Sequence, residues 1–167
     1  MNKIIITGPE SSGKTTLSND LKKHFNTHLV NEYAREYIDK LNSKYNYKDL
    51  LKIAKQQLKN EVEIQLKKPL ICDTDLITIK IWSEYKYSKC DKWILQNIQK
   101  QKNELRFYLI CKPDLEWKYD PQRENQFDRE SIFDIYKNEL EALNHQYFVI
   151  DSHDRLNKAI KALKKII

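Results

Sequence analysis

The chain of 167 residues contains only two glycines, where average usage of about 7% would supply roughly a dozen. Proline is scarce too, with four, so neither a collagen-like nor a Pro/Gly-rich disordered chain fits. Cysteine occurs three times, at Cys72, Cys90 and Cys111. The number is odd and the spacing matches no metal motif, which argues against a disulfide framework and for reduced thiols in a cytosolic protein. No apolar run approaches the ~20 residues that span a bilayer. The apolar stretch in the N-terminal MNKIIITGPE is too short for the core of a signal peptide. A cytoplasmic chain without membrane insertion is therefore expected.

What is present describes a globular protein. Hydrophobic residues make up 40% and charged residues 32%, and a length of 167 residues suits one domain, 1–167. The net charge of +6 comes from lysines spread along the chain rather than gathered in a block. Without a basic stripe or an aromatic platform, no nucleic-acid partner is expected, and a polyphosphate ligand accounts for the charge equally well.

Strand and helix patterns alternate. KIIIT (3–7), HLVNE (28–32), LICDTD (70–75), RFYLIC (106–111) and QYFVI (146–150) read as short strands. Helical patterns fall at about 14–25, 33–41, 47–67, 76–86, 92–103 and from 130 onward, with a last helix capped by Asp151 or Ser152 and running on through Ile167. In the third of these Leu50, Ala54, Leu58, Val62 and Leu66 recur every four residues as an apolar stripe. Strands separated by helices imply right-handed crossovers, hence an α/β fold with a five-stranded parallel sheet covered by helices on both faces. The polar stretch 112–128 reads as an irregular, lid-like loop.

Both glycines fall within GPESSGKTT (8–16), which matches G-x-x-x-x-G-K-[ST], the P-loop of nucleoside-triphosphate-binding proteins. The motif needs these residue types. Backbone N–H groups must converge on phosphate oxygens through dihedrals that glycine tolerates, and the following helix directs its positive end at the same anion. Gly8, Glu10, Ser11, Ser12, Gly13, Lys14, Thr15 and Thr16 are thus the candidate ATP-binding residues. Lys14 is expected to reach the β- and γ-phosphates and Thr15 to ligate Mg²⁺. The N-K-x-D segment of GTPases does not occur, and motor ATPases are usually larger, so a small-molecule kinase is the leading class. An NTP-binding regulatory module with slow hydrolysis and a nucleic-acid-stimulated ATPase stay open as alternatives.

Three clusters could complete such a site. Glu32 ends the second strand, with Arg35 one helical turn on. Glu32 is a candidate general base or a charge favoured at a helix N-terminus. Asp73 and Asp75 end the third strand. Asp73 suits a Mg²⁺ carboxylate and is the alternative base, whereas Asp75 is either a ligand of substrate hydroxyls or an N-cap. The loop after the fourth strand carries Trp117, Asp120, Arg123 and Arg129. Its arginines would close over the transferring phosphoryl or stay solvated, and Trp117 would stack on a substrate ring or anchor the loop. The segment Asp151–Arg155 is a positional candidate for the base-binding loop.

With these residues in view, GPESSGKTTL (8–17), NEYAREY (31–37), IAKQQ (53–57), ICDTDLITIKIW (71–82), LICKPDLEWKYDPQR (109–123) and DRE (128–130) together resemble the ribosylnicotinamide kinase domain of the NadR family. The resemblance implies a nucleoside-kinase-like P-loop fold and ATP-dependent phosphorylation of the 5′-hydroxyl of nicotinamide riboside, giving nicotinamide mononucleotide. It also implies that Trp117 meets the flat cationic ring and that Asp75 or Asp120 meets the ribose hydroxyls. Multidomain members carry a helix-turn-helix repressor and a nucleotidyltransferase domain as well. With a P-loop beginning at residue 8, a kinase domain standing alone is expected.

Overall fold

The computed structural model describes residues 2–41, 43–64 and 68–165. Five strands, β1 (Lys3–Thr7), β2 (Leu29–Val30), β3 (Leu70–Asp73), β4 (Arg106–Cys111) and β5 (Gln146–Ile150), form one sheet in the order β2-β3-β1-β4-β5. Every neighbouring pair is parallel. Seven helices accompany them among the described residues: α1 (Lys14–Phe25), α2 (Tyr33–Asp39), α3 (Tyr47–Val62), α4 (Leu76–Tyr87), α5 (Lys92–Gln101), α6 (Arg129–Ala142) and α7 (Arg155–Leu163).

Alternation along β1 divides the core in two. Ile4 and Ile6 pack with Leu17 and Leu21 of α1 and with Ala159 and Leu163 of α7. Ile5, between them, faces the opposite layer with Leu50 and Ile53 of α3, Leu76 and Ile79 of α4, and Phe133 and Leu140 of α6. A parallel strand buried on both faces has no polar side, which is why KIIIT reads as an unbroken apolar run.

The structure departs from the expected boundaries in four places. β2 is only Leu29–Val30 and β3 stops at Asp73, because Glu32 and Asp75 occupy the N-cap positions of α2 and α4. The third helix ends at Val62 rather than 67, and Val62 is exposed. A step of four residues overshoots a 3.6-residue turn by about 40°, so the i, i+4 row that begins at Leu50 rotates into solvent. Ile53, Gln57 and Glu61 share the buried face instead; Leu66 and Ile167 lie outside the described residues. The last helix begins at Arg155 with Asp154 at its N-cap position and no side-chain cap bond, so neither Asp151 nor Ser152 caps it.

Candidate active site

β1 delivers the chain to Gly8, whose φ of +130° belongs to the region that side chains disfavour. A Cβ there would stand 2.5 Å from the carbonyl oxygen of Cys111 on neighbouring β4, so conformation and space both demand glycine. Gly13, at φ +82°, is the N-cap residue of α1, and no side chain caps it. The first N–H groups of α1 are thus left available to an anion, with the helix dipole in support. Lys14 Nζ and the Ser12 hydroxyl both donate to the Pro9 carbonyl, at 2.8 and 2.7 Å, and this curls the loop.

Buried Arg155 braces the loop from behind, donating to the carbonyls of Ser12 (3.1 Å), Ile150 (3.0 Å) and Lys112 (3.0 Å) and to Asp114. Of the candidate base-binding segment Asp151–Arg155, Arg155 itself is thus turned towards the P-loop backbone. Its bracing role had no signal in the sequence, because one arginine near a helix start has no pattern.

Thr15 Oγ1 donates to Asp73 Oδ2 at 2.7 Å. The other carboxylate oxygen, Oδ1, is buried and without a hydrogen-bond partner among the described residues. A buried orphan acceptor beside a hydroxyl is a hard-oxygen set that fits Mg²⁺. Among the described residues no group of three or more His, Cys, Asp or Glu could hold a metal, so phosphate and water would complete its shell. Burial raises the Asp73 carboxyl above the ordinary range, while the Thr15 hydrogen bond and the Lys14 charge pull it back.

From the loop a cavity of about 440 Å³ opens over the carboxyl ends of the strands, within the range of small-molecule sites. Residues 8–16 line one end. The other is walled by Glu32, Ala34, Arg35 and Ile38 of the α2 region, Thr78, Ile81 and Trp82 of α4, and Ile132 and Tyr136 of α6. Leu115, Glu116, Lys118 and Gln122–Asn125 from the loop after β4 also line it. Burial drives the Glu32 carboxyl upward. The Lys14 charge opposes this, Asp73 reinforces it, and Arg35 and Arg123 act against it. A carboxylate with raised proton affinity, facing a cavity that also holds the P-loop lysine, suits a general base.

The lid-like loop, residues 112–128, carries no helix or strand and is tied down by its neighbours. Asp120 pairs with Arg35 at 2.9 Å, and Arg129 donates to the carbonyls of Leu115 (2.9 Å) and Ser11 (3.4 Å). Trp117 lies outside the cavity wall, with the guanidinium carbons of Arg123 and Arg129 6.0 and 5.7 Å from its ring. The cations on its ring are the loop's own Arg123 and Arg129, the first residue of α6. Of the two roles that the sequence leaves open for Asp75, it takes the N-cap and lies outside the cavity wall. It is fully buried, accepts from Ile77 N as the N-cap of α4 at 3.0 Å, and takes hydrogen bonds from Arg106 (3.0 Å) and the Tyr108 hydroxyl (2.8 Å). Thr74, at φ +67°, turns the chain between the two acids. Of the wall residues, Trp82 and Tyr136 fall in helical rows that read as core, and Thr78 has no signal in the sequence.

A family model described as an AAA domain matches residues 3–157, P-loop included. The chain belongs to this AAA-domain family. It is a P-loop nucleoside-triphosphate-binding fold of the α/β class, and no curated protein matches the domain in sequence. Among solved structures, the AAA domain is similar to a NadR protein in complex with NR, at 22% identity and a TM-score of 0.78, covering 98% of this chain and 51% of that one. It is also similar to a NadR protein in complex with NAD and AMP-PNP, at 19% identity and 0.71, covering 98% and 49%. The chain therefore spans about half the length of the NadR chains it matches. A third likeness is to thymidylate kinase from Ehrlichia chaffeensis, at 16% identity and 0.63, over 99% and 98% of the two chains. A fourth is to deoxyadenosine kinase from M. mycoides, at 17% and 0.61, over 98% and 100%. At these identities the shared property is the fold. Among the described residues no helix is long and apolar enough to cross a membrane.

Proposed function

We propose that the protein is an ATP-dependent kinase that phosphorylates the 5′-hydroxyl of nicotinamide riboside. The observation that carries this reading is one cavity joining the P-loop to the raised carboxyl of Glu32. The structural likeness to a NadR protein in complex with NR supports the choice of acceptor. Lys14 and the α1 N–H groups hold the triphosphate. Thr15 and Asp73 hold Mg²⁺, which when bound neutralises charge on the β- and γ-phosphates. Glu32 takes the acceptor hydroxyl's proton, with Asp73 the alternative, and Arg123 supplies positive charge from the loop. Phosphoryl transfer asks mainly for alignment and charge stabilisation, and these groups supply both.

A second reading, a kinase of another nucleoside or nucleotide, draws on the likeness to thymidylate and deoxyadenosine kinases over nearly their whole chains. The test is ADP release by purified protein with Mg²⁺-ATP across a panel of ribosides and nucleosides, with a no-acceptor control. Release dependent on nicotinamide riboside, with the mononucleotide as product, supports the proposal. A different preferred acceptor supports the second reading. Release indifferent to every acceptor overturns both in favour of a regulatory NTPase.

A further inference from the structure

A loop that cradles phosphates has little use for a carboxylate, yet its third residue is Glu10. Beside a polyanion an unengaged acid is repulsive. Here Oε2 of Glu10 instead accepts the backbone N–H groups of Glu124 and Asn125, at 3.0 and 2.8 Å. The next residue acts the same way. Ser11 Oγ donates to the Glu116 carbonyl (3.3 Å) and accepts from Lys118 N (2.9 Å). Glu124, gripped through its backbone by Glu10, extends its own carboxylate across the cavity. It meets Lys86 Nζ of α4 at 2.7 and 2.9 Å and the Tyr45 hydroxyl at 2.7 Å. The loop is therefore fastened to both rims of the cavity, with residue 124 as the shared point.

We propose that Glu10 is a positioning residue that fastens the loop over the nucleotide and so sets the ratio of phosphoryl transfer to hydrolysis. The inference rests on the kinase reading above. In transfer, the acceptor oxygen bonds to the γ-phosphorus as the bond to the bridging oxygen breaks. The electron pair leaves on ADP, and the hydroxyl proton passes to the carboxylate base. Water entering in place of the hydroxyl follows the same course and yields phosphate. What separates the two outcomes is whether water reaches the γ-phosphoryl, and a fastened loop denies it access.

The test compares wild type with Glu10→Ala and Glu10→Gln, measuring ADP release with and without the preferred riboside. The Ala variant should raise the ratio of acceptor-independent hydrolysis to transfer by at least about tenfold to a hundredfold, the worth of one of the two charge-assisted hydrogen bonds it removes. Gln keeps an acceptor oxygen and should fall between the two. An unchanged ratio, or hydrolysis and transfer altered by the same factor, overturns the proposal. A second readout is independent of the acceptor: trypsin cleavage after Lys118 and Arg123 in the presence of Mg²⁺ and AMP-PNP. Faster cleavage in the variants supports fastening, and equal rates overturn it. If wild type shows no acceptor-dependent turnover, the kinase reading fails, and the cleavage rates still decide the role of Glu10.

Discussion

Asp75→Asn separates the two roles open to this residue, a substrate ligand and a buried N-cap anchor. Asparagine keeps nearly the same volume and is a good N-cap, so the substitution chiefly removes charge. The native carboxylate uses one oxygen for Ile77 N and the other for Arg106 and the Tyr108 hydroxyl. An amide has a single acceptor oxygen. If it keeps the cap, its NH₂ group faces the Arg106 guanidinium, which can only donate, and the Tyr108 hydroxyl loses its acceptor; if it turns, the cap is lost. Breaking a buried ion pair costs about 3–5 kcal/mol. The low end applies here, because Arg106 retains Glu61 in a two-pronged contact at 2.6 and 3.2 Å.

A loss of about 3 kcal/mol in a protein of this size lowers Tm by roughly 6–12 °C. Thermal unfolding followed by circular dichroism measures it, and steady-state kinetics below the new Tm measures the other half of the claim. The riboside KM should move less than about twofold, since the side chain is fully buried and turned towards Arg106. A variant with wild-type Tm and a KM raised tenfold would refute the anchor and restore the substrate role.

Lys14→Ala should lower kcat/KM at least about a hundredfold, as loss of a charge stabiliser does, and near-normal turnover in the ADP assay would sink the P-loop assignment. The acid limb of kcat should lie above the usual glutamate range of about 4.3, since Glu32 must lose its proton and burial raises its pKa; Glu32→Gln should abolish that limb. The same shift has a consequence for stability. The folded state holds the Glu32 proton more tightly than the unfolded chain, so its contribution is full at low pH and is lost as pH rises through the raised folded pKa. Glu32→Gln should therefore unfold at a higher temperature than wild type at pH 7, and a lower Tm would contradict the burial. Gly8→Ala should destabilise by about 1–3 kcal/mol from backbone strain alone, measured by urea unfolding, with a further loss as Cβ meets the Cys111 carbonyl at 2.5 Å.

The features legible in the sequence were those with local causes. The P-loop is a contiguous string whose residue types follow from one ligand, and three strands, KIIIT, RFYLIC and QYFVI, appear with the expected limits because polar or turn residues bound each run. The α3 stripe reads as apolar through Val62, which the structure exposes, because a four-residue repeat drifts around a helix. Asp75 was open between two roles because its partner Arg106 lies 31 residues away, and only the pairing of β1 with β3 and β4 brings the two together. That the Glu10 side chain accepts from residues 124 and 125 is not legible in the sequence, because nothing near residue 10 reveals that the chain folds back to it.

The cations around the cavity differ in what holds them, and this division bears on the kind of acceptor. Lys14 rests on a neutral carbonyl, that of Pro9, so a triphosphate oxygen outcompetes its partner without breaking an ion pair. At the other end, Arg35 is paired with Asp120 and Lys86 with Glu124. An acceptor bearing its own phosphate would take either of these cations only by leaving a carboxylate unbalanced, which costs more than releasing a carbonyl, whereas Arg123 on the same cavity wall would give up only the Lys118 carbonyl. An acceptor without a phosphate makes no such demand. In the proposed reaction its sugar and ring would meet a wall of Ile81, Trp82, Ile132 and Tyr136, and its hydroxyl would meet Glu32. The ion pairs of Arg35 and Lys86 thus weigh towards an acceptor without a phosphate, and Arg123 is the cation that a nucleotide would recruit at least cost.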